Sequence, residues 1–172
     1  MSDPMHSTPI YQDYDDIRRF ASSYLIVAAD ENFILENFLK VLDQSISYHV
    51  LKHSSADDTK LETIFLDLTK YLNQAKAGVH IVVVGDESFI WQINQRLAQM
   101  GCLKEERTLI LVRDKKQVYC VHCGYQQDTK EKEKCVCEQC KVQLLIRSHF
   151  SERLGAYMGV CANANQPFGV AS

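Results

Sequence analysis

No stretch of the sequence is long and apolar enough to cross a membrane. The longest mainly apolar runs, such as residues 79–84, fall far short of the roughly 20 residues that a transmembrane helix needs. The opening residues Met1-Ser2-Asp3-Pro4 also lack the charged and apolar regions of a secretory signal. We therefore expect a cytoplasmic protein without a membrane partner.

A surplus of positive charge is also absent. The chain has 19 Lys and Arg residues against 22 Asp and Glu residues, a formal net charge of −3. This balance argues against a protein that mainly neutralises phosphates, so we expect no nucleic-acid partner. With 46% apolar and 24% charged residues, the composition excludes collagen-like repeats and wholesale disorder. A length of 172 residues suits one domain with a small appendage and excludes two large domains.

Cysteine, by contrast, is abundant and clustered. Of the seven cysteines, Cys102 and Cys161 stand apart, and the other five lie between residues 120 and 140. Without a secretory signal, such a cluster indicates metal binding in a reducing compartment rather than a disulfide framework.

Four of the clustered cysteines form two C-x-x-C pairs, Cys120 with Cys123 and Cys137 with Cys140. The two-residue spacing lets a tight turn direct both sulfurs to one point, and two such turns supply four thiolates in a tetrahedron. We predict that these four residues are metal ligands. Zinc is the first choice, because a closed four-thiolate shell is typical of a structural site, and iron in a rubredoxin-like shell is the alternative.

The neighbours of the four cysteines refine this prediction. Gly124, after the first pair, can adopt the left-handed backbone that turns the chain away from a metal, whereas Lys141 stands there in the second pair. Cys135 allows a rival C-x-C pairing with Cys137, but we expect it to be a spare thiol. His122 is expected to pack or to hydrogen-bond to a sulfur rather than bind the metal.

The pattern between residues 22 and 113 alternates strand-like and helix-like segments. Strands are predicted near 24–29, 46–50, 79–84 and 109–112, and helices over 34–42, 61–72 and 86–100. This alternation predicts βαβ units, and therefore a small α/β domain with a mostly parallel sheet and flanking helices. Residues 1–21, with Pro4, Pro9 and an acidic stretch, are expected to form a flexible N-terminal arm.

Residues 114–172 have a different character. Short strands are predicted at 117–119 and 142–146, joined by a charged loop over 126–134. Such a β ribbon is too small to fold on its apolar area alone, so we predict a zinc-ribbon-like β domain followed by a partner-binding tail. The tail carries the apolar residues Phe150, Leu154, Tyr157, Met158 and Phe168. These side chains either mark a partner surface or pack back onto the ribbon.

The segment 79–113 resembles the final βαβ unit of the NAD(P)-binding domain in ferredoxin reductase-like proteins. In those proteins a C-G-P turn follows the strand, and here Val84-Gly85-Asp86 takes its place. The first strand leads into Ala28-Ala29-Asp30-Glu31-Asn32-Phe33 instead of a glycine-rich turn. Because two acids stand where a phosphate needs bare backbone N–H groups, the resemblance implies a nucleotide-binding scaffold that has lost its nucleotide.

The ribbon and the following segment HFSERLGAYMGV, residues 149–160, resemble the C-terminal domain of the small subunit of dimethylamine monooxygenase, the DmmA-like family. The likeness covers about residues 20–172. In that family the companions are a reductase with flavin (FMN) and an iron–sulfur cluster, and a haem-bearing oxygenase. The assembly uses NAD(P)H and O₂ to convert dimethylamine to methylamine and formaldehyde. The resemblance implies an accessory subunit that docks both companions in a heterotrimer.

We expect no catalytic or cofactor-binding residue in this chain. His49, His53 and His80 lie on or beside strands without a partnered nucleophile, and Ser151 lacks the G-x-S-x-G elbow. The chain is therefore expected to be a non-catalytic subunit of an NAD(P)H-dependent monooxygenase complex. Two alternatives remain open: a rubredoxin-like iron electron carrier, and a nucleotide sensor that uses the α/β domain.

Overall fold

The computed structural model describes residues 8–29, 35–42, 46–53, 59–112, 115–163 and 165. The chain divides into two compact units at residues 113 and 114. We call the described residues 10–112 the α/β unit and the described residues from 115 onward the cysteine unit. In the described part of the chain, no helix has the length and apolar character needed to span a membrane.

The α/β unit is built on one parallel sheet. Its elements are β1 (Ser23–Ala29), α1 (Leu35–Val41), β2 (Tyr48–His53), α2 (Thr59–Gln74), β3 (Val79–Gly85), α3 (Glu87–Gln99) and β4 (Arg107–Leu111). The strands lie in the order β2-β1-β3-β4, and every neighbouring pair is parallel. The predicted α/β fold with a mostly parallel sheet is thus confirmed.

The continuous apolar run of β1 reflects burial on both faces of this sheet. Leu25 and Val27 pack with residues of α2 and α3, whereas Tyr24 and Ile26 pack with Phe38 of α1 on the other face. All five side chains are completely buried. Two covered faces are the usual arrangement of a parallel sheet, and they explain the absence of polar alternation in β1.

β4, the last strand of the α/β unit, begins earlier than predicted, at Arg107 rather than at residue 109. Both added residues are polar yet buried, because each finds a partner. The Arg107 guanidinium donates to the backbone and side-chain oxygens of Asn94, at 3.0 and 2.7 Å. The Thr108 hydroxyl lies 2.8 Å from the His80 ring. A polar start hides such a strand from a search for apolar runs.

Residues 10–21 are part of the α/β unit and contact its last strand and α3, although they belong to the segment predicted to be a flexible arm. The Gln12 backbone N–H donates to the Leu109 carbonyl, and the Gln12 side-chain oxygen accepts from the Leu109 N–H, both at 2.8 Å. The Tyr11 hydroxyl donates to Glu87 and accepts from the Trp91 indole N–H. Ile17 is only 2% exposed. Residues 1–7 of the predicted arm lie outside the described residues.

The cysteine unit is all β. It contains β5 (Lys116–Cys120), β6 (Gln126–Thr129), β7 (Lys134–Val136), β8 (Gln143–Ser151) and β9 (Ala156–Cys161). The sheet order is β6-β5-β9-β8-β7, with β5 and β9 parallel and the other pairs antiparallel. The prediction of a loop over 126–134 is wrong at both ends, where β6 and the first residue of β7 form. Both are edge strands: β6 consists of polar residues only, and β7 has just three residues, which is too short for an alternating pattern.

The predicted tail is also corrected in part, because residues 147–151 and 156–161 belong to the strands β8 and β9 of the sheet. β9 is its central strand, and Gly159 is needed there since a Cβ would lie 2.8 Å from a Val118 methyl group. Phe150 and Tyr157 are 2% and 9% exposed and meet edge-to-face at 5.0 Å. These two rings therefore pack back onto the ribbon, and Leu154 and Met158 are half-buried. Phe168 lies outside the described residues.

Candidate metal centre

The first cysteine pair lies in the loop of the β5–β6 hairpin. Cys120 is the last residue of β5, and its backbone N–H donates to the Tyr125 carbonyl at 2.8 Å. The Gly124 N–H donates to the Cys120 carbonyl, also at 2.8 Å. Gly124 has a φ of 78°, the left-handed backbone that glycine adopts without steric cost. The loop therefore folds into a tight turn that brings Cys123 back toward Cys120. We call residues 120–125 the first cysteine turn.

The second pair repeats this arrangement in the loop between β7 and β8. The Cys137 N–H donates to the Val142 carbonyl, and the Lys141 N–H donates to the Cys137 carbonyl, both at 2.9 Å. Lys141 has a φ of 62°, which makes it the only non-glycine residue of the described chain with positive φ. The lysine thus adopts the conformation of its glycine counterpart, and its ammonium group donates to the Glu138 carbonyl at 2.6 Å. We call residues 137–142 the second cysteine turn.

The two turns bring all four predicted ligands together. The Sγ atoms of Cys120, Cys123, Cys137 and Cys140 lie within 4.8 Å of one another. The Cys120–Cys140 and Cys123–Cys137 sulfur pairs are each 3.7 Å apart. Four sulfurs at about 2.3 Å from a tetrahedral zinc ion stand about 3.8 Å apart, so the spacing and the donor set fit such an ion. The geometry fits a four-thiolate iron site equally well.

The first cysteine of each pair is buried and the second reaches the surface. Cys120 and Cys137 are completely buried, whereas Cys123 and Cys140 are partly exposed. An ion held by the four sulfurs would therefore be covered on one side by the β sheet. On the other side it would be close to solvent.

Burial and backbone N–H groups act in opposite directions on the buried thiols. Burial raises the pKa of Cys120 to about 12, although the N–H groups of Cys123 and His122 lower it. Burial also favours the neutral form of Cys137, but hydrogen bonds from the N–H groups of Cys140 and Gln139, together with those from the Cys140 and Cys123 thiols, lower its pKa to about 7. Each turn thus directs two backbone dipoles at its first sulfur, which favours the thiolate that a metal requires.

The remaining cysteines lie outside the four-sulfur cluster. Cys135 pairs with Leu144 between β7 and β8, and its sulfur is not part of the cluster that the described residues form. Cys102 and Cys161 are each partly exposed. Cys102 packs at the rim of the core of the α/β unit, and the Cys161 sulfur donates to the Asn163 carbonyl at 3.3 Å.

The carboxyl edge of the parallel sheet presents acids where a phosphate would bind. The Asp86 carboxylate caps α3 by accepting from the Phe89 N–H at 2.9 Å. The next residue, Glu87, is 3% exposed and accepts from the Tyr11 hydroxyl. Because a helix N-terminus occupied by a carboxylate is unavailable to an anion, this part of the edge does not favour the nucleotide-sensor alternative. The loop after β1, including Asp30, lies outside the described residues.

The three histidines singled out in the sequence lie in the α/β unit and pack against other side chains. His49 stacks on Tyr71 with ring centroids 4.9 Å apart, and His53 stacks on Phe89 at 5.6 Å. The His80 ring bonds to Thr108 inside the sheet, and burial lowers its pKa to about 4. Ser151, considered as a nucleophile, lies at the end of β8.

Sequence reasoning missed Gln127, which contacts the second cysteine turn. It belongs to the polar tract that was predicted to be a loop, yet it is only 7% exposed. Its side-chain amide bonds to the backbone on both sides of Cys137. No spacing or periodicity in the sequence marks this residue, because its partners belong to another hairpin.

Comparison with known proteins identifies the segment that carries the four sulfurs. Residues 117–160 match the family model of the dimethylamine monooxygenase subunit DmmA-like, C-terminal domain. This segment is therefore similar to a DmmA-like C-terminal domain. The resemblance predicted from the sequence is thereby confirmed, and the matched residues run from β5 into β9 and include both cysteine turns.

A second comparison finds similarity over a longer part of the chain. The chain is 38% identical over 104 residues to the heme-dependent oxidative N-demethylase delta subunit of Ectopseudomonas mendocina (strain ymp). The alignment covers 60% of this chain and 59% of that subunit, so the chain spans less than two thirds of its relative. No solved structure matches the chain.

Proposed function

We propose that this protein is a metal-stabilised accessory subunit of an NAD(P)H- and O₂-dependent oxidative N-demethylase. The observation that carries the proposal is the four-sulfur cluster inside the segment that matches the DmmA-like C-terminal domain. The similarity to the delta subunit of a heme-dependent oxidative N-demethylase supports the same assignment. In this role the chain belongs to a cytoplasmic complex that converts dimethylamine to methylamine and formaldehyde.

In this proposal the partner subunits carry the cofactors and catalyse the oxidation of the amine. A reductase subunit would carry FMN and an iron–sulfur cluster, and an oxygenase subunit would carry haem. This chain would dock both and hold them in a fixed arrangement. Its own metal, zinc in this proposal, would be held by Cys120, Cys123, Cys137 and Cys140. A closed shell of four thiolates leaves no coordination position for a substrate, which suits a structural ion.

The ion's role in folding follows from the architecture of the cysteine unit. Both turns are hairpin loops, β5–β6 and β7–β8, and the four sulfurs are where the two hairpins converge. Because a unit of this size has a small apolar core, the ion would supply much of its stability. Zinc binding to comparable sites contributes on the order of 10 kcal/mol.

The test is reconstitution of the complex with the wild-type chain and with a variant that lacks one metal ligand. The chain is co-expressed with candidate reductase and oxygenase subunits, and the purified complex is analysed for metal, haem, flavin and dimethylamine-dependent NAD(P)H oxidation. We expect one zinc per chain, activity only in the complete complex, and loss of both assembly and activity with Cys123→Ser. Full activity of the two partners without this chain would refute the proposal. So would amine oxidation by this chain alone.

One observation favours the alternative of a rubredoxin-like iron electron carrier. Cys123 and Cys140, whose sulfurs belong to the cluster, are partly exposed residues, and Val121 and Tyr125 of the first cysteine turn are 45% and 38% exposed. An iron ion at this site would be accessible to a redox partner through those sulfurs. Stoichiometric iron with visible thiolate-to-iron absorption in the purified chain would select this function. A colourless protein with stoichiometric zinc would exclude it.

A further inference from the structure

Gln127 joins the two hairpins that carry the cysteine turns. It lies in β6, the strand that follows the first cysteine turn. Its Nε2 donates to the Val136 carbonyl at 3.0 Å, and its Oε1 accepts from the Glu138 N–H at 2.8 Å. Val136 and Glu138 are the residues immediately before and after Cys137. One side chain of the first hairpin thus holds the backbone on both sides of a sulfur-bearing residue in the second.

The Gln127 side chain links two strands that are not neighbours in the sheet. β6 and β7 are the two opposite edge strands, so no backbone ladder joins them. The Gln127 amide takes the place of such a ladder by supplying one donor and one acceptor to the same stretch of backbone. An amide side chain offers a donor and an acceptor side by side in a fixed planar geometry. Since the residue is almost fully buried, loss of the amide would leave the Val136 carbonyl and the Glu138 N–H without these partners.

We propose that Gln127 is a positioning residue of the metal centre, which holds Cys137 at the spacing that the other three sulfurs require. The inference rests on the metal site proposed above. It assigns to Gln127 a link between the first hairpin and the second cysteine turn that consists of hydrogen bonds and does not depend on the ion. Residues that orient metal ligands through hydrogen bonds change metal affinity by about 10- to 100-fold when they are removed.

The chain offers a matched control in the adjacent residue. Gln126 is also a glutamine of β6, and its amide donates to the Leu154 carbonyl at 2.9 Å, away from both cysteine turns. Gln127→Met and Gln126→Met therefore make the same chemical change one residue apart. Phe150→Leu serves as a second control, because it weakens the core of the same unit at its contact with Tyr157.

The experiment uses the full chain loaded with cobalt(II) as a spectroscopic probe. The ligand-field bands report the four-sulfur geometry, and transfer of cobalt to an excess of chelator reports the release rate. For Gln127→Met we expect altered bands and release about 10- to 100-fold faster than wild type. For Gln126→Met and Phe150→Leu we expect wild-type bands, and release within a fewfold of wild type. If Gln127→Met does not fold, Gln127→Glu replaces it, keeping the acceptor for Glu138 and losing the donor to Val136.

The outcomes separate this inference from the proposed function. Wild-type chain that takes up no stoichiometric metal overturns the metal site itself. Normal metal uptake by wild type, with the same bands and release rate in the Gln127 variant, overturns only the role of Gln127. Equal acceleration by Phe150→Leu would show that release follows general stability, and it would also overturn the positioning role.

Discussion

Gly124 and Lys141 occupy equivalent positions in the two cysteine turns, and both adopt left-handed backbone, with φ of 78° and 62°. The N–H of each donates to the carbonyl of the first cysteine in its turn. Only glycine adopts this conformation without a steric cost, since a Cβ atom makes it unfavourable by roughly 1–2 kcal/mol. The second turn therefore holds a strained residue where the first holds a relaxed one.

This difference predicts opposite effects from two substitutions. Lys141→Gly should stabilise the metal-loaded cysteine unit by up to about 1 kcal/mol, because the strain is removed. Gly124→Ala should destabilise it by about 1 kcal/mol or more, because strain is introduced, although a Cβ there would meet only the Tyr119 hydroxyl at 3.5 Å. Thermal unfolding of the zinc-loaded chain measures both effects. Changes of the same sign in the two variants would contradict the equivalence of the turns.

Cys123 and Cys135 should respond differently to the same change. Cys123→Ser is expected to abolish stoichiometric metal binding, because only three of the clustered sulfurs remain. Cys135→Ser should keep one metal per chain, because its sulfur lies outside the cluster and its residue pairs with Leu144 in the sheet. Elemental analysis of the purified variants measures the ratio. Loss of metal from Cys135→Ser would revive the rival pairing with Cys137.

Removal of the metal should unfold the cysteine unit and leave the α/β unit intact. Trp91 is the only tryptophan of the chain, and it is 5% exposed in α3 of the α/β unit. Its fluorescence therefore reports that unit alone. On addition of a strong chelator we expect the amide resonances of residues 115–163 to lose their chemical-shift dispersion, while the wavelength of the Trp91 emission stays the same. A red shift of that emission at the same chelator concentration would show that the two units unfold together.

The buried His80 should make the stability of the α/β unit depend on pH. Burial, assisted by the charge of Arg18, lowers the His80 pKa from 6.5 to about 4, while Glu106 opposes this shift. Below pH 6.5 the unfolded chain therefore binds a proton that the folded unit does not accept until about pH 4. Stability is complete above pH 6.5 and falls as the pH drops toward 4, by about 3 kcal/mol at most.

Urea unfolding followed by Trp91 fluorescence at pH 7 and pH 4.5 measures this loss. His80→Gln is the matched variant, because an amide can still bond to Thr108 but does not titrate. We expect the variant to lose much less stability than wild type between the two pH values. Equal losses in both proteins would assign the pH dependence to other groups.

The features that the sequence determined by itself depend on neighbours along the chain. The C-x-x-C spacing specifies a tight turn, so the four sulfurs that converge could be named in advance. The apolar run of β1 and the capping residue Asp86 likewise act within a few residues, and they predicted a buried strand and the start of α3. Local spacing and local periodicity have the same meaning wherever the segment lies in the fold.

Other features were decided only by the tertiary structure. β6 has a polar sequence and forms a strand because β5 pairs with it. β9 can occupy the central position because Gly159 has no side chain and leaves room for Val118 of the adjacent strand. Phe150 and Tyr157 meet each other across the β8–β9 hairpin, and the link made by Gln127 depends on partners in another hairpin. A pattern read along the chain contains no information about which distant segment will supply a hydrogen bond or an apolar contact. Those contacts form only when the strands assemble. Their energies then determine which segments become strands and which side chains are buried.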